Sequence, residues 1–367
     1  MAQTPARGAF RQIPVDVAVV IPTVLRPSLA RAVRSIFAQD LDGRIQILIG
    51  IDTVGGDAGV LDALHRDCPA HIDLDVLDLG YSTSRRNGGL YPCGYGGALR
   101  TILSFQANSR HVAYLDDDNW WAPDHLSSLL AAVDGADWAY GQRWMVDPRT
   151  LGPICIDDWE SVGPDRGMFA ADLGGFVDTN SLLIDKLACE AVLPLWGRTL
   201  FSNRADGEDR VVFHALRTRF RGRATGIAST YYLIDETDML APARQVHFRR
   251  QGYDWADPPA PAAPPAFDLP TPEVARSRRL TGLLNAVRRQ AAAGDWPAAY
   301  ALIERLLVLA PGNRAVLRQM GRLCIGMGQT ADARAIFEVL RAEDPSDRET
   351  LAAITALDAS PRRAAAR

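Results

Sequence analysis

The sequence predicts a doubly wound α/β domain, followed by a small all-α domain built from repeats. Two apolar runs, residues 17–21 and 45–51, flank a segment whose apolar residues recur with helical spacing. This β-α-β order is typical of a sheet that helices cover on both faces. From about residue 277 onward the chain repeats itself with a period of about 34 residues, which indicates stacked helix pairs.

The first elements follow one another with short connections. The strand at residues 17–21 is bounded by Pro22, and Pro27-Ser28 provides a start signal for the helix. The second strand, at residues 45–51, is followed by Asp52, which we expect at the carboxyl edge of the sheet. One apolar stripe on the intervening helix is formed by Leu29, Val33, Ile36 and Phe37.

The later part of this domain is less regular. Further strands are predicted at residues 74–79, 111–115 and 138–141, and a helix at residues 124–133. Residues 147–176 are rich in Gly, Pro and Asp, so we expect loops over the edge of the sheet there.

A tract of proline and alanine at residues 257–265 marks a domain boundary. Such a tract pairs into neither a ladder nor a helix, so it predicts a semi-rigid linker. We therefore divide the chain into an α/β domain at residues 1–255, a linker at 256–276 and a helical domain at 277–367.

The helical domain resembles tetratricopeptide repeats, of which residues 277–357 hold roughly two plus a capping helix. Because about three repeats are normally needed for independent stability, these helices either brace the first domain or present a groove to a protein partner. Matching positions include Gly294 and Gly328, Ala299 and Ala333, Glu304 and Glu338, and Pro311 and Pro345.

Composition and charge argue against several classes of function. The chain has 40 Lys and Arg against 44 Asp and Glu, which offers no general attraction to nucleic acid or to an anionic membrane. No window approaches about eighteen consecutive apolar residues, and residues 1–7 lack the apolar core of a signal peptide. We therefore expect a cytoplasmic protein without a membrane span. Its five cysteines form no C-x-x-C pair, which argues against a zinc site and a disulfide framework.

Three adjacent carboxylates, Asp116, Asp117 and Asp118, follow the predicted strand at residues 111–115. Like charges crowded at the carboxyl end of a strand are tolerable when a cation lies among them, and Mg²⁺ or Mn²⁺ prefers such oxygen ligands. The alternative is a solvated acidic turn that caps the next helix, with Asp124 as its N-cap.

Together with Asp52 and the order of elements, these motifs resemble the family 2 glycosyltransferases over residues 1–250. The fold of that family is the GT-A nucleotide-diphospho-sugar domain, which implies a Rossmann-like mixed sheet. Family members open with a strand ending in Pro-Thr near an arginine, and Thr23 and Arg26 match that pattern. The resemblance implies that these two residues bind the nucleotide. It also implies that Asp52 accepts a hydrogen bond from the uracil N3–H.

The same resemblance gives roles to the three carboxylates. The metal motif of the family is Asp-x-Asp, which implies that Asp118, together with Asp116, is a metal ligand. It further implies that Asp116 and Asp117 face the ribose and the nucleotide.

A second acidic motif, Gly207-Glu208-Asp209, precedes a segment with helical periodicity. Carboxylates at a helix start are favoured by the helix dipole, so simple N-terminal caps are one interpretation. The family resemblance implies instead that Asp209 deprotonates the acceptor hydroxyl, with Glu208 beside it tuning its pKa.

Two weaker matches lie elsewhere in the chain. His247 lies where many family members place a late histidine that reaches the diphosphate or the metal, although a lone histidine is more often structural. Residues 174–181 resemble the acceptor-side strand of the family or, alternatively, an ordinary hairpin.

One region departs from the family pattern. The usual Arg-Asn pair before the helix that leads into the metal strand gives way to a glycine-rich run at residues 87–97. Glycines permit close approach of the backbone to a diphosphate, and Arg85 or Arg86 would supply the cation. The alternative is a mobile loop.

The resemblance implies a metal-dependent, inverting glycosyltransferase that uses Mn²⁺ or Mg²⁺. Its donor would be a nucleotide-diphospho-sugar, with a UDP-sugar favoured, and its acceptor a hydroxyl of a glycan, a protein or another molecule. A sugar-phosphate nucleotidyltransferase would open with a glycine-rich loop, but residues 23–27 contain no glycine. The other alternative is a scaffold protein whose repeats bind a partner and whose transferase domain is degenerate.

Overall fold

The computed structural model describes residues 13–53, 55–94, 96–200, 207–261, 263 and 265–364. Residues 1–7 and positions 262 and 264, which entered the expectations about a signal peptide and the linker, lie outside this part. The strands are β1 (Val17–Thr23), β2 (Ile45–Ile51), β3 (Ile72–Asp78), β4 (His111–Tyr114), β5 (Trp120–Trp121), β6 (Trp138–Val146), β7 (Pro153–Ile156), β8 (Gly163–Pro164), β9 (Gly175–Phe176), β10 (Leu182–Asp185) and β11 (Gly222–Leu233). The helices are α1 (Leu29–Phe37), α2 (Gly59–Asp67), α3 (Gly97–Gln106), α4 (His125–Ala132), α5 (Ala170–Leu173), α6 (Glu208–Arg219), α7 (Ala241–Arg250), α8 (Pro272–Ala292), α9 (Trp296–Leu309), α10 (Arg314–Gly326), α11 (Thr330–Glu343) and α12 (Arg348–Ala364).

A mixed sheet forms the centre of the first part of the chain. Its strand order is β3-β2-β1-β4-β10-β6-β11-β5, with β7 beside β6. The strands β1, β2, β3 and β4 pair in parallel, whereas β10 is antiparallel to both β4 and β6. Consequently the carboxyl ends of β1, β2, β4 and β6 and the amino end of β10 meet at one edge, which we call the site edge.

The first β-α-β unit forms as the apolar pattern predicts. Every residue of β1 and β2 is buried, and α1 packs on them through its apolar stripe. The predicted first strand ended at Ile21, but β1 continues through Pro22 to Thr23. Pairing of β1 with β4 ends at Val20, so the N–H that Pro22 lacks is not required on that side.

The strand β6 is longer than its predicted range of residues 138–141. The polar residues Gln142 and Arg143 interrupt the apolar pattern there, yet β6 continues to Val146 and pairs with β11. Arg143 is tolerated inside the fold because three carboxylates surround its guanidinium.

By contacts the chain divides into two compact units, Val15–Arg278 and Arg279–Arg367, the second of which also includes residues 13 and 14. In the second unit, Ile13 joins the core of α8, α9 and α10. The ring of Phe337 lies 2.7 Å from the position that a Cβ on Gly321 would occupy, so the small residue lets α10 and α11 pack closely. Within the described residues, no helix combines the length and apolar character that crossing a membrane requires.

The predicted fold class is confirmed, because an α/β part with a mixed sheet is followed by an all-helical part. The domain limits stay predictions. The first compact unit extends to Arg278, beyond the start of α8 at Pro272, which lies within the stretch predicted as the linker.

Candidate active site

Asp116 lies just beyond β4, where both of its carboxylate oxygens are held. The guanidinium of Arg100, on α3, contacts Oδ1. Asn180 Nδ2 donates to Oδ2 at 2.8 Å, and the backbone N–H of Asp116 donates to Asn180 Oδ1 at 2.6 Å. Because β10 is antiparallel to β4, a residue just before β10 faces a residue just after β4. The topology therefore brings Asn180 to the site edge.

Asp117 is buried and faces the end of β1. Thr23 Oγ1 donates to Asp117 Oδ2 at 2.6 Å, and Arg26 Nη1 lies 3.4 Å from Oδ1. Burial raises the pKa of Asp117 above its usual value. The structure thus brings together Thr23, Arg26 and Asp117, which the sequence predicts to bind the nucleotide.

Asp118 is the most accessible of the three carboxylates to a ligand that approaches the site edge. Arg26 Nη1 lies 2.8 Å from its Oδ2, and Arg31 Nη2 donates to its backbone carbonyl at 2.7 Å. Burial and the neighbouring charges of Asp116 and Asp117 raise the pKa of Asp118 to about 7. The nearby arginines therefore do not fully compensate the negative charge of ionised Asp118.

The donor chemistry of the acidic cluster, Asp116 to Asp118, fits a hard divalent cation. A cation among these carboxylates would relieve the repulsion that raises the pKa of Asp118. Among the described residues, no three His, Cys, Asp or Glu side chains are grouped so as to hold a metal ion by themselves. The protein would therefore supply only part of the coordination, and oxygens of a diphosphate and water would complete it.

His247 is not grouped with Asp116 and Asp118. Its Nε2 lies 3.1 Å from Asp158 Oδ1, and its ring stacks on Trp159 with the centroids 5.3 Å apart. A metal-binding role for His247 stays a prediction.

Asp52 follows β2 and organises the loop beyond β3. Its Oδ1 accepts hydrogen bonds from Ser82 Oγ at 3.1 Å, Thr83 N at 2.6 Å and Thr83 Oγ1 at 2.9 Å. These bonds all use one oxygen, so among the described residues Oδ2 is left for a ligand. Arg86 follows in a 3₁₀ turn (Arg85–Asn87), where its side chain is exposed.

Glu208 and Asp209 begin α6, but neither makes a side-chain cap. The N-cap is Gly207, with φ at 86°, and Asp209 Oδ1 accepts from the neighbouring Arg210 N at 2.7 Å. Glu208 is 4% exposed, and its Oε2 has no hydrogen-bond partner within residues 13–200 and 207–364 as far as these are described. Burial and the charge of Asp209 raise the pKa of Glu208 to about 7, and burial also raises the pKa of Asp209. Raised pKa values in a pair of carboxylates are typical of groups that exchange protons.

Arg100 connects the two acidic motifs and was missed in the sequence. It contacts Asp116, and its Nη1 lies 3.8 Å from Glu208 Oε1. Its guanidinium also lies 5.5 Å from the ring centroid of Trp196. One signal was present in the sequence, because Arg100 is the lone charged residue of the helix that leads into β4.

Comparisons with known proteins concern the repeats, curated sequences and solved structures. Residues 290–365 match the tetratricopeptide repeat model, which confirms that part of the predicted repeat region. The search of curated proteins finds no significant match.

Among solved structures, the chain is similar to S. aureus TarS. TarS 1-349 matches at 12% identity with a TM-score of 0.43, covering 95% of this chain and 92% of that one. The same fragment in complex with UDP-GlcNAc gives the same values. The longer TarS structure matches at 12% identity with a TM-score of 0.42, covering 93% of this chain and 55% of that one. Similarity at this level assigns no role to any residue.

Proposed function

We propose that the unit Val15–Arg278 is a metal-dependent, inverting glycosyltransferase of the GT-A type that uses a nucleotide-diphospho-sugar, with a UDP-sugar favoured. The observation that carries this proposal is the bridge formed by Arg100. This arginine contacts Asp116 on the donor side and approaches Glu208, next to the candidate base, within 3.8 Å. Asp116, which would bind the donor, and the carboxylate pair at the start of α6, which would act on the acceptor, therefore share one cation, and this supports a common reaction centre.

The donor would lie along the site edge. Asp52 would accept from the uracil N3–H through the oxygen that its loop leaves unused. Arg26, which is half exposed beside Asp117 and Asp118, has the charge and reach to contact a phosphate. The exposed Arg86 is the further cation proposed for the diphosphate.

Asp118 and Asp116 would hold Mn²⁺ or Mg²⁺, which would neutralise the charge on the departing diphosphate. Asp209 would take the proton of the attacking hydroxyl on the face of the sugar opposite the diphosphate, so the configuration at the anomeric carbon would invert. The raised pKa of Asp209 suits this task, because a base with a pKa closer to working pH accepts the proton more readily.

Thermal unfolding with UDP and Mn²⁺ tests the proposal. A ligand that binds only the folded state raises the melting temperature, so we expect a rise that requires both components. ADP with Mn²⁺ is the matched control, because its base does not present the N3–H that Asp52 would recognise. No shift with any nucleoside diphosphate would contradict the proposal and favour a scaffold protein, whose repeats alone carry its function.

A further inference from the structure

A chain of buried polar groups leads from the interior of the sheet to the carboxylate of Asp116. It begins at Arg143 on β6, passes through Asp178 and ends at Asn180, just before β10. The sequence placed residues 174–181 on the acceptor side and gave Asp178 and Asn180 no individual role. Of these three residues, Asn180 is the one that hydrogen-bonds to Asp116.

The orientation of the Asn180 side chain is fixed by its partners. Its Oδ1 accepts from the backbone N–H of Asp116, which can only donate. Its Nδ2 donates at 2.8 Å to Asp116 Oδ2 and at 2.8 Å to Asp178 Oδ1, both of which are acceptors. The flipped amide would lose all three bonds, so a single arrangement is possible.

The carboxylate of Asp178 is in turn held by Arg143 on β6. Arg143 Nη1 donates to its Oδ2 at 2.7 Å, while the other donors of the same guanidinium bind Asp157 at 2.8 Å and Glu160 at 2.9 Å. Arg143 is 1% exposed and lies 4.0 Å from the ring centroid of Tyr232. This network connects the loops that contain residues 157–160 and 178–180 to β6.

We propose that Asn180 is a positioning residue that fixes the carboxylate of Asp116 for the nucleotide sugar, with Asp178 and Arg143 holding its amide in place. The inference rests on the proposed function. Asp116 is held by Arg100 on one oxygen and by Asn180 on the other, so its plane is set before the donor arrives. Pre-organised contacts of this kind strengthen binding because less side-chain freedom is lost when the ligand binds.

Asn180→Asp tests the inference, because it keeps the shape of the side chain and replaces the donor Nδ2 by an oxygen. Three carboxylates would then face one another, so Asp116 would be pushed from its position. We expect the Kd of UDP in the presence of Mn²⁺ to rise about tenfold or more, as for other lost hydrogen bonds to a charged group. We also expect faster hydrogen exchange at the Asp116 amide.

Gln39→Glu is the matched control. Gln39, like Asn180, is 0% exposed. Its amide also makes three hydrogen bonds: Nε2 donates to the carbonyls of Ser35 and Ala122, and Oε1 accepts from the N–H of Leu126. Both variants lose stability through the same chemistry, so both are measured well below the lower of their melting temperatures. The control should leave the UDP affinity and the exchange of the Asp116 amide near wild type.

The outcomes distinguish the positioning role of Asn180 from the proposed glycosyltransferase function. If wild type binds UDP and Asn180→Asp binds it equally well, or if both variants weaken binding alike, the positioning role is wrong and the proposed function stands. If the Asp116 amide exchanges at the wild-type rate in Asn180→Asp, the added carboxylate does not displace Asp116, and the positioning role is wrong. If wild type binds no nucleoside diphosphate, the donor site itself is wrong, and the exchange rates then test only whether Asn180 positions Asp116.

Discussion

At the scale of the residue, Glu208 gives the site a distinct dependence on pH. Burial and Asp209 raise the pKa of Glu208 to about 7 in the folded chain. The folded chain therefore keeps a proton at pH values where the unfolded chain has lost it. Glu208 thus stabilises the fold at low pH, and this contribution is lost as the pH rises through about 7.

Glu208→Gln should remove the decrease in stability that the ionisation of Glu208 causes at higher pH. We expect the variant to gain stability over wild type as the pH rises from about 5 to 8, by up to about 3 kcal/mol in the free energy of unfolding. Denaturant unfolding across this range measures the difference. Glu190→Gln, at an exposed position, is the control and should run parallel to wild type. A constant difference between Glu208→Gln and wild type would show that Glu208 titrates normally.

Asp118→Ala should abolish the effect of metal on nucleotide binding. The side chain of Asp118 is 35% exposed and forms its ion pair with the exposed Arg26, so truncation should cost little stability. Calorimetric titration of UDP with and without Mn²⁺ measures the effect. Asp124→Ala is the control, since Asp124 stands at the start of α4 without capping it. Full enhancement by Mn²⁺ in Asp118→Ala would exclude this residue as the ligand.

At the scale of the element, the sequence predicts strands and helices that follow from the local apolar pattern. It does not predict contacts that follow from which strands pair and in which direction. Runs of apolar residues predicted β1, β2 and α1, and the residues that follow β2 and β4 predicted Asp52 and the acidic cluster. Asn180 was assigned no such role, because it reaches Asp116 only when β10 is antiparallel to β4. The direction of a strand is set by long-range pairing, which local patterns do not record.

The long strand β6 makes the same point through one charge. Arg143 interrupts an apolar run, so the predicted strand stopped before it. Its burial depends on carboxylates from later in the chain, at Asp157, Glu160 and Asp178. A local pattern cannot anticipate such partners.

Arg143→Met should be strongly destabilising. It would leave three buried carboxylates without their shared cation, and breaking a buried ion network in this way typically costs about 3–5 kcal/mol. Arg34→Met is the control, because the side chains of Arg34 and its partner Asp67 are 41% and 37% exposed. That pair should contribute less than about 1 kcal/mol. Equal losses in the two variants, measured by denaturant unfolding, would contradict the role given to the buried network.

At the scale of the whole molecule, the boundary between the compact units decides where the chain can be cut. Arg278 Nη1 donates to the backbone carbonyl of Gln39 at 2.6 Å, and Ala275 is buried. A chain that ends at residue 261 loses both, whereas one that ends at residue 278 keeps them. The shorter form should melt at a lower temperature than the longer one.

The form that ends at residue 278 also tests the role of the repeats. We propose that the repeats recruit the acceptor, so hydrolysis of the donor should survive their removal while transfer to the native acceptor falls. If the repeats are a brace, the melting temperature and both activities should fall together. Unchanged values of all three would leave neither role standing.

The most direct test of the central claim is the release of UDP from a panel of UDP-sugars in the presence of Mn²⁺, with water in the place of the acceptor. Wild type should release UDP from at least one of them. Asp209→Asn should still bind UDP. It should hydrolyse the UDP-sugar more slowly than wild type, by roughly a hundred- to ten-thousand-fold, because an amide cannot take the proton of the water. No release from any UDP-sugar, or equal rates in wild type and Asp209→Asn, would contradict the assignment of this site as a glycosyltransferase centre.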